Sequence, residues 1–497
     1  MKSAIYLASI ALCALVQPVL AQTTAPDQTS PLDTLVPAND ATDAAAPPPS
    51  TGNPLEDRFN ALDARIKQLE ARNAQLEAAA AQTQSRVESA EVRAAKGVQM
   101  ATAPTFSNVN DNFTFKPRGM LQVDYAAYNE RRGGYAYSSG TDIRRGRFGF
   151  EGTAYKKFKW RLDAEYLKGK VNLLDAYVSY VINPKLSVTA GQHKAPYGLE
   201  ANTSDAYNTF LERSLGSNAF GAVGAERRIG LSLAYNTDKL NAQVGVFGGA
   251  ETVTRNASTR DEPYSFNGRV TWDPILDTGR VLHLGASGYH VSHLPGHAVT
   301  ISDRPNSRVD GGLLVSVAVP GTAPAVGPTG VKSGNYYGFE AAGVYGPISV
   351  QGEYGHLALD RYTTASVATS STLNFSGFNV FGSFFLTGES RSFKNGVVDR
   401  LKPFNNFEPS SGHWGAFELA ARYDQLDLDD NSIAATPALG GRKAHSYISA
   451  LNWYLNPNFR AAFNYIRFTG TRSPLTASGA VGTAKGDVFA TRLQVDF

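Results

Sequence analysis

The chain has 497 residues with a formal net charge of +3 and only 42% hydrophobic residues, yet it carries 47 Gly, 26 Phe and 23 Tyr. So balanced a charge lends no support to a nucleic-acid partner, and a mean hydropathy of −0.25 is too polar for a bundle of membrane helices. Cys13 is the only cysteine, which excludes a disulfide-stapled scaffold.

Residues 1–21 read as an export signal: Lys2, an apolar run from Ala4 to Val16, then Val19-Leu20-Ala21 as a small-residue cleavage site. Residues 22–53 are rich in Ala, Pro, Thr and Asp and hold too little apolar surface to fold, so they predict a disordered linker. Over 54–96 the apolar positions, among them Leu55, Phe59, Leu62, Ile66, Leu69 and Leu76, recur in alternating steps of four and three with no Gly or Pro between Pro54 and Gly97. That heptad seam predicts a coiled-coil helix that associates through Leu62, Ile66, Leu69, Asn73 and Leu76, with Asn73 setting register. A lone amphipathic helix on a surface is the alternative, and residues 97–110 read as a connector.

Residues 111–497 predict an all-β transmembrane barrel of sixteen antiparallel strands, since runs of period two bounded by turn residues recur from Phe115 onward. Short turns such as 183–184, 236–238, 346–347 and 456–458 alternate with long loops at 129–142, 195–226, 292–333, 427–442 and 469–485. Short turns on one rim, long loops on the other and an even strand count are the marks of a bacterial outer-membrane barrel. Trp160, Tyr180, Trp272 and Trp453 fall near strand ends, where interfacial girdles sit. The closing run, Gly486 to Phe497, sets Phe489, Leu493, Val495 and Phe497 on one face and Arg492, Gln494 and Asp496 on the other. No stretch after the signal approaches the length of a transmembrane helix.

Alternation also assigns a lumen. With Phe148 and Phe150 facing lipid, Arg145 and Arg147 point inward, and Ile229, Leu231 and Leu233 likewise turn Arg228 inward. The same parity makes Arg161, Arg269, Arg422, Arg460 and Arg492 a basic channel wall, opposed by Glu151, Asp163, Glu165, Asp175 and Glu418. Facing hydrocarbon at mid-bilayer, such charges would cost about 2–4 kcal/mol each. The interior is therefore expected to be wet and Arg-rich. Loop 195–226 holds Leu199, Tyr207, Phe210 and Leu211, which need burial, so it is expected to fold into the barrel and place Arg213 at a constriction. An exposed loop with a Glu212-Arg213 pair is the alternative.

The runs RRGRFGFEGTAY from Arg144, LLDAYVSY from Leu173, AGQHKAPYGLE from Ala190, LERSL from Leu211, WGAFELAARYDQLDL from Trp414, LNWYLNPN from Leu451 and the final RLQVDF resemble the family of phosphate-selective porins O and P. The resemblance covers Phe115 to Phe497. It implies a homotrimer in outer-membrane lipid that passes small anionic solutes along arginines to a constriction. It assigns Arg144, Arg145, Asp175 and Arg213 to a central anion site, and Thr203 and Ser204 to an adjoining hydroxyl-bearing turn. Alternation puts Arg144 on the lipid parity, but a bulge at the loop end of its strand would turn it inward. Four positions depart from the family pattern: Ala201 replaces a lysine, Asp205 a serine and Met120 an arginine, while Lys194 stands for a tyrosine of the constriction. Fewer positive groups and an added carboxylate weaken a site for a doubly charged oxyanion.

The sequence contains no Gly-x-Ser-x-Gly elbow and no HExxH pair, so no enzyme is expected. His290, His293 and His297 have a metal-like spacing, but they sit where a strand runs into a Pro- and Gly-containing loop without an evident fourth ligand, and neither metal nor cofactor is expected. Two alternatives stand beside the anion pore. One is a general porin with little selectivity; the other is an envelope tether reaching the cell wall through the N-terminal linker and helix.

Overall fold

The computed structural model describes residues 52–100, 103–108, 110–132, 137–250, 262–319, 321, 330–362, 372–430, 441–474 and 481–497. The expected signal and the linker up to residue 51 lie outside the described residues, as do parts of loops 129–142, 292–333, 427–442 and 469–485. Helix α1, Pro54–Gly97, matches the uninterrupted heptad stretch. Asn53 Oδ1 accepts from the Leu55 N–H at 3.2 Å ahead of Pro54, and Glu56 and Asp57 face the positive end of the helix dipole. Its seam residues Leu62, Ile66, Leu69 and Leu76 are 51–60% exposed, so a single chain leaves the stripe uncovered.

The remainder is one closed antiparallel barrel. Its sixteen strands are β1 (Phe113–Arg132), β2 (Gly140–Ala154), β3 (Phe158–Leu167), β4 (Lys170–Asn183), β5 (Leu186–Lys194), β6 (Arg227–Asn236), β7 (Leu240–Phe247), β8 (Tyr264–Asp277), β9 (Arg280–Ser292), β10 (Val331–Tyr345), β11 (Ile348–Arg361), β12 (Thr372–Phe385), β13 (Ala416–Asp427), β14 (Lys443–Tyr454), β15 (Phe459–Pro474) and β16 (Val481–Asp496). Strand β16 closes on β1, from Asp496 opposite Met120 to Lys485 opposite Arg132. Phe497 finishes the seam: its N–H donates to Gly119 O at 3.0 Å and its carbonyl accepts from Gly119 N at 3.1 Å. A side chain at 119 would meet the Phe497 ring at 2.5 Å, so glycine is needed for that approach. Below the seam the free edge of β1 is taken by the short strand Pro104–Ser107, with Phe106 opposite Phe115. The edge of β1 is thus covered at Thr114 and Phe115 by the short strand and from Gly119 onward by Phe497 and β16.

Outward residues are apolar, as the alternation predicts: Leu231, Val244, Val350, Phe463 and Leu493 are all more than two-fifths exposed. Tyr155, Tyr180, Tyr235, Trp272, Tyr345 and Phe459, also exposed, cluster beside the short turns as one girdle. Helix-sized membrane spans are absent among the described residues.

Two connections break the expected division of rims. On the long-loop side β3 and β4 join through Lys168 and Gly169 alone, both with positive φ (52° and 74°), as a two-residue hairpin requires. On the short-turn side residues 386–415 form a long insertion between β12 and β13. Its hairpin, Phe393–Lys394 paired with Val397–Val398, packs Phe393 and Val398 against Leu199, Val281 and Val344 inside the barrel. Arg269 Nη2 donates to Gly396 O at 2.7 Å, and Arg391 and Arg400 pair with the wall carboxylates Glu418 and Asp496.

The interior is wet along only part of its wall, which corrects the expectation of a lumen polar all round. Inward residues of β9 to β15, including Val291, Tyr336, Leu357, Phe375, Ile448 and Ile466, form an apolar cluster with Leu211, Leu215, Phe220 and Val223 of loop 195–226 and with Ile301 and Val317 of the paired short strands Val299–Asp303 and Val315–Val319. Inward alternation is satisfied by any environment other than lipid, and here a folded loop supplies a dry one.

Replacing lipid-facing Leu493 by Arg is expected to lower the unfolding free energy by about 2–4 kcal/mol, read by denaturant titration in phospholipid vesicles. A change within about 0.5 kcal/mol would mean that Leu493 does not face hydrocarbon.

Candidate functional site

Loop 195–226 leaves β5, makes the short helix α2 (Leu199–Asn202) and the longer α3 (Leu215–Gly224), and re-enters the wall at β6. Its helix starts are answered by carboxylates of the wall. Glu353 accepts from the Leu199 and Glu200 N–H groups at 3.0 and 2.8 Å, and Asp424 accepts from the Leu215 N–H at 3.0 Å. Ser214 caps α3 through Ser217 N. Leu199, Phe210 and Leu211 are buried, as their composition predicts.

The loop is then fastened from the far wall by arginines. Arg460 donates to Asn208 O and Thr209 O at 2.6 and 2.7 Å, Arg492 to Leu211 O at 2.5 Å, and Arg422 to Glu212 O at 3.1 Å while lying 4.6 Å over the Phe210 ring. These three expected wall arginines are buried beneath the loop. Arg269 likewise serves the insertion 386–415. Of the five, Arg161 faces the open side, between Asp163 and Asp175.

Two cavities lie on that open side. The one toward the long loops is about 670 Å³ and the one toward the short turns about 510 Å³. Both are lined by Arg147, Lys194, Asp205 and Arg227, the zone that the two share. Asp205 is its hub. Its carboxylate takes Arg213 Nη2 at 2.7 Å, Arg147 Nη1 at 2.5 Å and Arg145 Nη2 at 3.2 Å. Lys194 Nζ is tied to the Ala201 and Thr203 carbonyls at 2.7 and 3.2 Å, and Ser204 lines the cavity on the short-turn side. Asp175 is held by Arg227 through two bonds of 3.0 and 3.1 Å.

Arg144 reaches the lumen for the reason that alternation alone misses. The pairing of β1 with β2 passes from Gln122–Arg145 directly to Val123–Ile143, so Arg144 is the extra residue of a bulge. Released from parity, it grips Glu212 through two bonds of 2.7 and 3.0 Å. Glu212 also takes Arg492 at 3.1 Å and Arg308 at 3.5 Å. Burial alone would raise the Asp205 and Glu212 carboxyls, but Arg145 and Arg213 around the first, and Arg144 beside the second, outweigh it and hold both well below the usual carboxylate range. Their contribution to loop stability is thus complete above the ordinary carboxylate range and lost only as pH falls through the depressed values.

Arg228 stands apart from the expected anion group: it donates to the Ala225, Val223 and Gly248 carbonyls at 3.0, 2.9 and 3.3 Å. Its neighbour Arg227, which follows Glu226 with φ 59°, lines both cavities. Arg227 and the loop arginines Arg304 and Arg308 line the upper cavity and were not among the residues singled out from sequence. The doublet Arg227-Arg228 is the one signal that pointed there. His290 bonds Asn335 and Ser292, while His293 and His297 pack on Tyr264 and Tyr362. Among the described residues no group of three or more His, Cys, Asp or Glu is gathered as a metal site.

The profile of the phosphate-selective porins O and P matches residues 115–497, the whole barrel. The chain belongs to that family. This porin is 26% identical to Porin O of Pseudomonas aeruginosa over 430 residues, 82% of the chain and 92% of the relative. It is 29% identical to an uncharacterised protein of Caulobacter vibrioides over 406 residues, 77% and 74% of the two chains. Among solved structures, an anion-selective porin from Comamonas acidovorans is similar at 15% identity and a TM-score of 0.49, over 78% of this chain and 100% of that one. Family and barrel together make the protein an outer-membrane porin, a channel rather than an enzyme.

Changing Arg460 to Ala strips the Asn208 and Thr209 carbonyls of their donor, a loss of about 1–3 kcal/mol for each buried acceptor. Single-channel records should become noisier, with larger current steps as the loop loosens; quiet, wild-type steps would mean that the other contacts hold the loop without Arg460.

Proposed function

We propose that the porin passes small anionic solutes, of the size of phosphate or short phosphate chains, by passive diffusion. They enter among the long loops, cross the zone of Arg147, Lys194, Asp205 and Arg227, and leave at the short-turn rim into the periplasm. The observation that carries this reading is the charge of the larger cavity, whose lining holds nine Arg and Lys against five Asp and Glu. A basic vestibule with low-dielectric walls concentrates anions before the constriction, and weak contacts beyond it let them go.

A general porin with little selectivity is favoured by a separate observation: Arg145, Arg147 and Arg213 already share one carboxylate, so their charge is partly neutralised. Reversal potentials across a planar bilayer in a KCl gradient distinguish the two. Chloride preference of several-fold supports the anion pore, and Arg227→Ala, which leaves Asp175 facing the path, should reduce it. No preference leaves a general porin, and potassium preference removes the anion reading.

The same reading includes export through the segment 1–21, a periplasmic N-terminal region and a homotrimer whose helices pair through Leu62, Ile66, Leu69, Asn73 and Leu76. Its support is the apolar stripe exposed along α1. Leu69→Asp combined with Leu76→Asp in the full chain should lower the temperature at which the trimer dissociates on gels; an unchanged transition would assign assembly to the barrel alone.

A further inference from the structure

Three guanidiniums converge on a residue that lines both cavities, and the group they converge on belongs to the chain itself. Arg145 and Arg147 come from β2 and Arg213 from loop 195–226, and all three donate to the carboxylate of Asp205 at 2.5–3.2 Å. That side chain is 2% exposed. Lys194, at the end of β5, adds a fourth positive group fixed to the Ala201 and Thr203 carbonyls. Planar forks aimed at one point are the arrangement that binds a free oxyanion by charge-assisted, paired hydrogen bonds.

We propose that Asp205 is a resident counter-anion: it occupies the oxyanion seat of the porin and thereby sets its selectivity, letting anions pass while preventing their retention. This rests on the anion-pore reading and names the residue that limits it. A ligand tethered within its own seat is present at an effective concentration of at least about millimolar, and a passing solute must displace it to bind. The vestibule's attraction is retained because Arg145, Arg147, Arg213 and Lys194 face the single carboxylate of Asp205 and so leave a net positive charge, whereas the seat itself is closed. Taking the charge from residue 205 while keeping its shape should therefore open a latent binding site for tetrahedral oxyanions.

The experiment uses inorganic phosphate as the probe, titrated against the chloride current of the full-length porin in planar bilayers. Wild type is expected to keep its current in millimolar phosphate. Asp205→Asn and Asp205→Ser are each expected to be blocked at phosphate concentrations lower by about tenfold or more, a shift of 1.4 kcal/mol or more in binding, and to show a raised chloride-to-potassium ratio. Conductance in molar KCl and heat-modifiable migration on gels report whether loop and barrel are intact. An intact variant with the phosphate response of wild type overturns the proposal. So does a wild type blocked by micromolar phosphate, which needs no variant to be read. A wild type that fails to conduct would instead overturn the pore reading, so the two failures are distinct.

Discussion

In hydrocarbon an unpaired sheet edge is intolerable, so everything inside this protein depends on β16 pairing with β1. The register from Lys485 to Asp496, completed by Phe497 against Gly119, fixes which residues look inward on every other strand. Once the circle closes, an inward side chain has three possible fates: water, an ion partner, or the packed surface of a loop. The same parity rule therefore produces a dry wall from β9 to β15 and a charged one from β2 to β6.

The arginines divide along that line. Arg422, Arg460 and Arg492 are buried under loop 195–226 and bond its carbonyls, whereas Arg147, Arg161 and Arg227 border the cavities. A count of inward arginines says nothing about how much charge a solute meets. What matters is whether each guanidinium is answered by a neutral carbonyl, which leaves its charge uncancelled but screened behind the loop, or by a carboxylate, which cancels it. At Asp205 and Glu212 the second case holds, and six arginines share two acids.

Much of this was legible in the chain. Period-two runs gave the strand count and the lipid face, the uninterrupted heptads gave α1, and the apolar residues Leu199, Phe210 and Leu211 foretold that their loop would be buried. The failures have local causes. Arg144 lies on a bulge and Arg227 follows a left-handed residue, and a parity argument carries no information across either. The insertion 386–415 went unread because its apolar anchors, Phe393 and Val398, are too few and too scattered to form a periodic run. The dry wall was hidden for another reason: an apolar inward residue in a barrel strand looks like a breach of alternation until the loop that covers it is placed.

The fastening of loop 195–226 also dictates an order of events. Its three arginine clasps from the far wall come from β13, β15 and β16, and the bond from Arg492 to Leu211 joins residues 281 positions apart. Contacts of such separation form only after the ring has shut. A molecule caught between those two moments would be a wide, unguarded hole in the cell's outer barrier, so the final strand not only completes the wall but also supplies the clasp that makes the opening safe.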